Sequence, residues 1–284
     1  MVRHCLIRKI ERNINKMKKT VSVIMVLLMI CALLTACGGS TQESGESSAL
    51  AKVQAAGKLT VATSPDFPPF ESLENGEVVG IEIDILQIIC EKLGVELDIQ
   101  QMDFDSVLPG VQAGKFDLGA SGISVTEKRQ KNVLFTDPYC LAAQAIVVTE
   151  GSSVTCKADL EGKKVSVQTG TTAETFCMEA GYEVSSFTAN SDAQAALVGG
   201  KVDAWVIDDL TAADMVKIYN AEGGDQLVIL DEAMTTEPYA FAFAFGSENL
   251  VEEINTILNS LVEDGTVASI FEKYEAPYTS PAEA

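Results

Sequence analysis

The chain has 284 residues, more than the roughly 100–200 of a usual single domain, so its length predicts two lobes. Its composition is ordinary for a globular protein, with 47% hydrophobic and 6% aromatic residues, and excludes a multi-span membrane protein. The net charge is −21, and it becomes −27 without residues 1–36, which excludes nucleic-acid binding. Such acidity favours solubility, and a specific acidic surface for a partner is the alternative.

The N-terminus has the pattern of an export signal. A basic segment, residues 1–20, precedes an apolar run, Val21–Leu34, which is short for a membrane span of about 20 residues. The sequence LTAC, ending at Cys37, then resembles a bacterial lipobox. The resemblance implies cleavage before Cys37 and two acyl chains that anchor the protein. An unmodified signal peptide or a short membrane helix is the alternative, and translation could also start at Met17.

Four cysteines remain after the signal and the lipid site are removed. Export permits disulfides, and the sequence does not choose among the possible pairings. Cys156 with Cys177 is the pair we favour, because both fall in one predicted lobe, while Cys90 lies in an apolar helical pattern that predicts a buried thiol. No cysteine or histidine spacing suggests a metal site, and we expect no cofactor. The four cysteines are Cys90, Cys140, Cys156 and Cys177.

Strand-like and helix-like segments alternate after the polar tether, in two sets. This alternation predicts an α/β fold with largely parallel sheets in each lobe. The predicted strands are Leu59–Thr63, Val95–Gln100, Phe116–Ala120, Lys164–Gln168, Glu183–Phe187, Asp203–Ile207 and Leu227–Leu230. The predicted helices are Ile83–Leu93, Asp105–Ala113, Thr171–Ala180, Asp192–Val198, Asp209–Tyr219, Glu248–Leu261 and Val267–Tyr274.

Two apolar extended runs, Gln144–Val148 and Tyr239–Phe245, separate the two sets. If they are paired crossover strands, the second lobe is an insertion and the C-terminal helices return to the first lobe. The ligand cleft then lies between the lobes, because ligands of open α/β sheets bind outside the carboxyl ends of strands. The predicted organisation is signal peptide 1–36, acylated cysteine and tether 37–56, first lobe 57–146 plus 241–284, and second lobe 147–240.

Several stretches resemble, in order and spacing, the amino-acid-binding family of bacterial extracellular solute receptors. The resemblance covers about residues 57–275 and implies a two-lobed periplasmic-binding-protein-like fold with two crossover hinge strands. It also implies that the ligand closes the cleft. The stretches are Val61–Phe70 (VATSPDFPPF), Gly80–Gly94 (GIEIDILQIICEKLG), Met102–Pro109 (MDFDSVLP), Gly122–Arg129 (GISVTEKR), Val165–Thr172 (VSVQTGTT) and Val202–Asp209 (VDAWVIDD).

The matching positions suit a free amino acid, which presents a carboxylate and an ammonium at a fixed separation. Arg129 can pair with the carboxylate through its planar guanidinium, helped by donors of Ser124 and by Thr172 at a helix start. The backbone of Gly122 and the carboxylate of Asp208 match the groups that accept from the ammonium. By local pattern alone, Arg129 could belong to a solvated charge run, and Ser124, Thr172 and Asp208 could be helix caps.

The resemblance also implies the surroundings of the ligand's side chain. Phe67 and Phe104 match aromatic residues that flank the side chain, although each could be ordinary core. The predicted side-chain pocket includes Ser64 and Gln168, with Asp66 and Glu71 as further candidates for recognising a cation. Some glutamine and basic amino-acid receptors carry an acidic residue where this chain has Ser64, so the resemblance does not name one substrate. Asp66 and Glu71 could recognise a cationic side chain or could equally point to solvent, and Gln168 could bond an amide or guanidinium. We therefore expect a polar amino acid, basic or amide.

The expected function is that of an extracytoplasmic, lipid-anchored receptor that hands an amino acid to an ABC permease and its ATPase, as a monomer. An exported enzyme on the same fold is the rival, since related chains include dehydratases and parts of lytic enzymes. The chain's one histidine, His4, lies in the signal, so histidine acid–base chemistry is excluded from the mature protein. Glu71 or Asp209 would be the acid of such an enzyme, and we expect no catalytic residue.

Overall fold

The computed structural model describes residues 48–223 and 226–283, so Cys37 and the predicted signal lie outside the described residues. The strands are β1 (Lys58–Thr63), β2 (Asp66–Phe67), β3 (Glu71–Glu74), β4 (Glu77–Val79), β5 (Glu96–Gln101), β6 (Leu118–Gly119), β7 (Leu134–Phe135), β8 (Cys140–Ala142), β9 (Gln144–Thr149), β10 (Lys164–Gln168), β11 (Glu183–Phe187), β12 (Ala204–Asp208), β13 (Leu227–Ile229), β14 (Glu237–Tyr239) and β15 (Ala242–Phe243).

The predicted helices occur in the predicted order. The helices are α1 (Ala49–Ala56), α2 (Ile81–Leu93), α3 (Phe104–Gln112), α4 (Glu127–Gln130), α5 (Thr172–Glu179), α6 (Asn190–Val198), α7 (Asp209–Glu222), α8 (Glu248–Glu263) and α9 (Thr266–Lys273), with 3-10 turns at Lys157–Leu160 and Pro281–Glu283. Two of them, α1 and α4, were not predicted. Helix α1 lies within residues 37–56, and its Val53 is buried, so the prediction that the whole of this segment is a tether is wrong. No helix within the described ranges is long and apolar enough to cross a membrane.

Two five-stranded sheets form the centres of the two lobes. The first has the order β5-β1-β6-β15-β7, in which β1 runs parallel to β5 and β6 and β15 runs antiparallel to its neighbours. The second has the order β11-β10-β12-β9-β13, in which β10 runs parallel to β11 and β12, whereas β9 is antiparallel to β12 and β13. The prediction of two α/β lobes is therefore confirmed. Each sheet is mixed, with two parallel and two antiparallel pairings, so the prediction of largely parallel sheets is wrong in detail. The exact lobe boundaries remain a prediction.

The pairing predicted for the crossover strands is wrong in detail. The two strands that pair there are β8 and β14, with Tyr239 opposite Cys140. The predicted partners instead separate: Gln144–Thr149 enters the second sheet and Ala242–Phe243 enters the first. Each predicted run is apolar because it continues into a buried sheet, so hydrophobicity alone could not show where the short crossing pair ends.

A small three-stranded sheet, β2-β3-β4, was not predicted and joins the first lobe to the start of α2. Gly80 precedes this helix with φ +143°, and a Cβ there would lie 2.1 Å from the Phe70 oxygen. The amide of Glu82 donates to the same carbonyl at 3.1 Å. The backbone of Phe70 therefore packs directly against the helix start, an approach that only glycine permits.

The cores of both sheets are built from the apolar residues of the alternating pattern. Trp205 on β12 and Phe243 on β15 are fully buried, and burying a side chain of this kind contributes about 1.5–3 kcal/mol. The four cysteines of the described chain are all free, so the favoured Cys156–Cys177 pair does not form a disulfide. Cys90 is buried, as its helical pattern predicted.

Candidate functional site

A small cavity between the two sheets brings together the residues predicted to contact the ligand, with the exception of Ser64. Its volume is about 10 Å³, and it is walled by residues from both lobes. The lining residues are Phe67, Phe104, Ser121, Gly122, Ser124, Arg129, Gln168, Thr171, Thr172 and Asp208. The stretches that carried the resemblance are far apart in sequence, and the fold makes them neighbours.

Arg129 places a guanidinium between the lobes. Its Nη1 donates to the Ser124 carbonyl at 2.9 Å, its Nη2 donates to the Gly170 carbonyl at 3.2 Å, and the group lies 5.7 Å from the centre of the Phe104 ring. No ion pair of the described residues includes Arg129. Burial lowers the pKa of Arg129, which the charges of Glu237 and Asp208 partly oppose. The guanidinium therefore has backbone partners but no direct counter-ion, and an anion would be favoured beside it.

Asp208 supplies the opposite charge at the end of β12. Its Oδ1 accepts from the hydroxyl of Tyr239 and from Gln144 Nε2, the latter at 2.9 Å. Burial, and then the charge of Glu237, raise the pKa of Asp208 to about 7. An ammonium ion at this carboxylate would offset both effects and favour its ionised form.

The alternative that these residues only cap helices does not hold. Thr171 accepts from the Glu174 amide and caps α5, whereas the hydroxyl of Thr172 donates to Glu237 at 2.7 Å. Asp208 makes no side-chain cap bond, and it is Asp209 that accepts from the Leu210 amide.

Similarly, Thr126 caps α4 and leaves the hydroxyl of Ser124 for another partner. The side chains of Ser124, Thr172 and Asp208 are therefore all directed to the cavity region rather than to a helix end.

The two predicted aromatic residues lie on the cavity wall. Phe67 is buried, and its ring lies against Gly122, whose φ is +53°. A Cβ at Gly122 would come within 2.4 Å of that ring, so a larger residue would displace the aromatic wall. Phe70 lies behind Phe67, fully buried, with their ring centres 5.7 Å apart. Phe70 is thus core, and Phe67 and Phe104 form the surface that a ligand could contact.

Glu237 is a buried carboxylate of this region that the sequence reasoning missed. It lies on the crossing strand β14, and its Oε2 accepts from Ser124 at 2.5 Å and from Thr172 at 2.7 Å. Its Oε1 accepts from Thr235 at 2.9 Å. Glu237 therefore connects Ser124 of the first lobe and Thr172 of the second lobe to the crossing strand β14. The only local signal was an acidic residue at the start of an apolar extended run.

Ser64 and Asp66 lie beside the cavity rather than on its wall. The Ser64 hydroxyl donates to Asp66 at 2.9 Å, and its amide donates to Ser121 Oγ at 3.1 Å. The Asp66 carboxylate accepts from the Asn190 amide at 2.8 Å. The expectation that these two side chains line the pocket directly is not met, because the Ser64 hydroxyl donates to Asp66 and the Asp66 carboxylate accepts from neighbouring protein donors.

Glu71 is also placed elsewhere, beneath the cavity in the first lobe. It is fully buried, and its Oε1 accepts from the Ser121 hydroxyl at 2.8 Å. The equally buried Glu82 accepts from the Gly122 amide at 3.2 Å and from the Tyr139 hydroxyl at 2.6 Å. These two carboxyls therefore hold the Ser121 side chain and the Gly122 backbone in position and do not face a ligand.

Similarity to known proteins identifies the family of this chain. Residues 59–277 match the family described as bacterial extracellular solute-binding proteins, family 3. The chain belongs to this family. It is similar to the arginine-binding extracellular protein ArtP of Bacillus subtilis, with 31% identity over 258 residues that cover 89% of this chain and 96% of the relative.

Solved structures of the same solute-binding fold are also similar. An ancestral arginine-binding protein bound to arginine has a TM-score of 0.72 and 41% identity, and the match covers 77% of this chain and 98% of that protein. An ancestral amino-acid-binding protein, described as a precursor of cyclohexadienyl dehydratase, has a TM-score of 0.74 and 33% identity over 80% of this chain and 99% of that protein. The two-lobed solute-binding fold is therefore shown.

The buried acid pair beneath the site should make the stability of this family member depend on pH. Burial, and then the charge of Glu82, raise the pKa of Glu71 well above its ordinary value. Glu71 therefore stays protonated in the folded chain at pH values where it ionises in the unfolded chain. This contribution to the free energy of unfolding is complete at low pH and is lost as pH rises through the folded-state pKa.

We predict that Glu71→Gln, which resembles the protonated acid, gains stability relative to the parent protein between pH 5 and pH 8. The gain should appear as a relative increase in Tm of about 2–4 °C for each kcal/mol. Thermal unfolding at both pH values measures it, with the exposed Glu74→Gln on the same strand as the control. An equal change in Tm at the two pH values would contradict the proposed burial of a protonated Glu71.

Proposed function

We propose that this protein captures a polar L-amino acid outside the membrane and delivers it to an ABC permease and its ATPase. One observation carries the proposal: Arg129 and Asp208, from different lobes, are directed to the same cavity. An amino acid brings a carboxylate for the guanidinium and an ammonium for the carboxylate. Ser124, Gly122 and Thr172 lie on the same wall and can complete the contacts.

The proposed ligand is an amino acid whose side chain is polar, either basic or amide. Phe67 and Phe104 can flank its aliphatic part, and Gln168 can contact its polar end. Relatives support this class, since the ancestral arginine-binding protein was also solved bound to glutamine. ArtP is named as an arginine-binding protein, and another relative, TcyJ of Escherichia coli, is named as an L-cystine-binding protein.

Delivery proceeds by hinge closure. A cavity of about 10 Å³ has room for about one water molecule, so an amino acid can enter only when the lobes move apart. The two short strands β8 and β14 cross between the sheets and provide the hinge. The ligand stabilises the closed form by its contacts with both lobes, and the permease recognises that form.

The proposal also includes a lipid anchor and the boundaries of the two lobes. Cys37 carries the lipid, residues 1–36 are removed, and residues 37–56 include the tether to the membrane. Residues 57–146 with 241–284 form the first lobe, and residues 147–240 form the second. The receptor acts as a monomer, which is the simplest arrangement for one cleft and one ligand.

An exported enzyme is the second candidate, because one similar structure is described as a precursor of a dehydratase. The positions of the acids argue against it. Glu71 is sealed beneath the cavity, and Asp209 is bonded to the Ala143 and Leu210 amides. Asp208 is the acid at the cavity, and it suits an ammonium. We therefore propose binding without turnover.

A thermal-shift screen against the standard amino acids, with cystine and ornithine, tests the function. A ligand at 100 times its Kd should add about 2.7 kcal/mol to the free energy of unfolding. We predict that Arg129→Ala weakens binding of every responding amino acid by about 100-fold or more, because it removes the partner of the carboxylate. Lys128→Ala, an exposed neighbour on α4, is the matched control and should leave Kd nearly unchanged. A flat screen would overturn the amino-acid assignment.

Closure is tested separately by small-angle X-ray scattering. We predict that the amino acid found in the screen reduces the radius of gyration of the parent protein, because two lobes that close around a ligand become more compact. Arg129→Ala at the same ligand concentration should remain extended. Superposable profiles with and without a saturating ligand would contradict the hinge mechanism.

A further inference from the structure

Asp66 connects the first lobe to the second through a set of hydrogen bonds. Its Oδ2 accepts from the amide of Asn190, the first residue of α6, at 2.8 Å. Gln168 Nε2 lies 3.4 Å from its Oδ1 and 3.3 Å from its Oδ2, and the Ser64 hydroxyl donates to Oδ1 at 2.9 Å. The carboxylate is thus bonded by donors on both sides of the cleft, at the start of a helix where a negative charge is favoured.

These bonds determine the orientation of the Gln168 amide. An ionised carboxylate can only accept hydrogen bonds, so the Gln168 group facing Asp66 must be its nitrogen. The same nitrogen donates to the Thr188 carbonyl at 3.1 Å, and Gln168 Oε1 accepts from Asn190 Nδ2 at 3.1 Å. Both N–H bonds of the amide are therefore used, and one lone pair of Oε1 remains.

Gln168 lines the cavity, whereas Asp66 does not. We propose that Asp66 is a positioning residue that fixes Gln168 so that the group it offers to a ligand is an acceptor. This inference rests on the proposed amino-acid receptor and narrows its ligand class. The side-chain end of the site then accepts an amide, guanidinium or ammonium, each of which carries N–H donors. It rejects a carboxylate side chain, which would face an acceptor with no donor between them.

The proposal separates glutamine from glutamate, two ligands of nearly the same shape. Calorimetric titration of the full exported chain should give a preference for glutamine of at least about 100-fold, as expected where a hydrogen-bonding site meets an analogue that lacks the donor. Equal affinity for the two ligands in the parent protein would overturn the proposal.

Asp66→Asn tests the role of the carboxylate in that preference. Asparagine keeps an oxygen for the Asn190 amide, but its own amide can donate to Gln168 Oε1, so the Gln168 amide is free to turn. We expect the preference for glutamine to fall at least about tenfold, mainly through a gain in glutamate affinity. Asp192→Asn removes an exposed acid from the first turn of the same helix without a contact to Gln168, and it should leave the preference unchanged.

The outcomes distinguish this role from a merely structural one. An equal loss of affinity for both ligands in Asp66→Asn would show that Asp66 supports closure alone and would overturn the proposal, as would an unchanged preference. A measurement that needs no ligand accompanies the titration: the side-chain amide protons of Gln168, assigned with Gln168→Leu, should exchange slowly in the parent protein and quickly in Asp66→Asn. If no amino acid binds but the amide protons of Gln168 still exchange faster in Asp66→Asn, the proposed function is contradicted and the positioning of Gln168 by Asp66 is not.

Discussion

The structure of this site depends on two charged groups, the Arg129 guanidinium and the Asp208 carboxylate, that are directed into one narrow space between the two sheets. Removing charges from water is costly unless each is paired or hydrogen-bonded. Within the described residues, the protein gives each charge hydrogen bonds but no ion pair. Arg129 donates to the carbonyls of Ser124 and Gly170, and Asp208 accepts from Tyr239 and Gln144. A zwitterion of matching length supplies the two missing charges together. This requirement explains why a free amino acid fits better than a simple anion or cation.

The hinge strands make this arrangement possible and also take part in it. Arg129 belongs to the first lobe and Asp208 to the second, so the two charges approach each other only when the lobes are close. Glu237 and Tyr239 lie on the crossing strand β14, and they bond to Ser124, Thr172 and Asp208. The same short segment therefore permits the movement and contributes acceptors and donors to the site that the movement closes.

Much of the fold follows from local features of the sequence. The helix predicted over Ile83–Leu93 does end at Leu93, where Gly94 adopts the left-handed conformation of a C-cap, with φ +72°. The crossing strands were harder, because strand pairing depends on a partner far away in sequence. The apolar runs Gln144–Val148 and Tyr239–Phe245 continue into separate sheets, so their composition could not indicate that the short pair β8–β14 lies beside them.

The site was predicted unevenly for a similar physical reason. The resemblance implied Arg129, Ser124, Thr172 and Asp208. Two of them lie where an element begins or ends, since Thr172 opens α5 and Asp208 closes β12. The roles of the two acidic residues of the first lobe could not be distinguished in this way. Asp66 and Glu71 are five residues apart and look equivalent in sequence, yet one bonds across the cleft and the other is sealed beneath it. Only the packing of distant partners, Asn190 and Ser121, distinguishes them.

The central claim, that Arg129 and Asp208 bind the two charges of one zwitterion, is tested most directly by calorimetric titration. The parent protein and Asp208→Asn are each titrated with the amino acid found in the screen and with its analogue that lacks the amino group. We predict that the parent protein prefers the amino acid by about 100-fold or more, and that Asp208→Asn loses most of this preference. Equal affinity of the parent protein for the two ligands, or the same preference in both proteins, would contradict the claim.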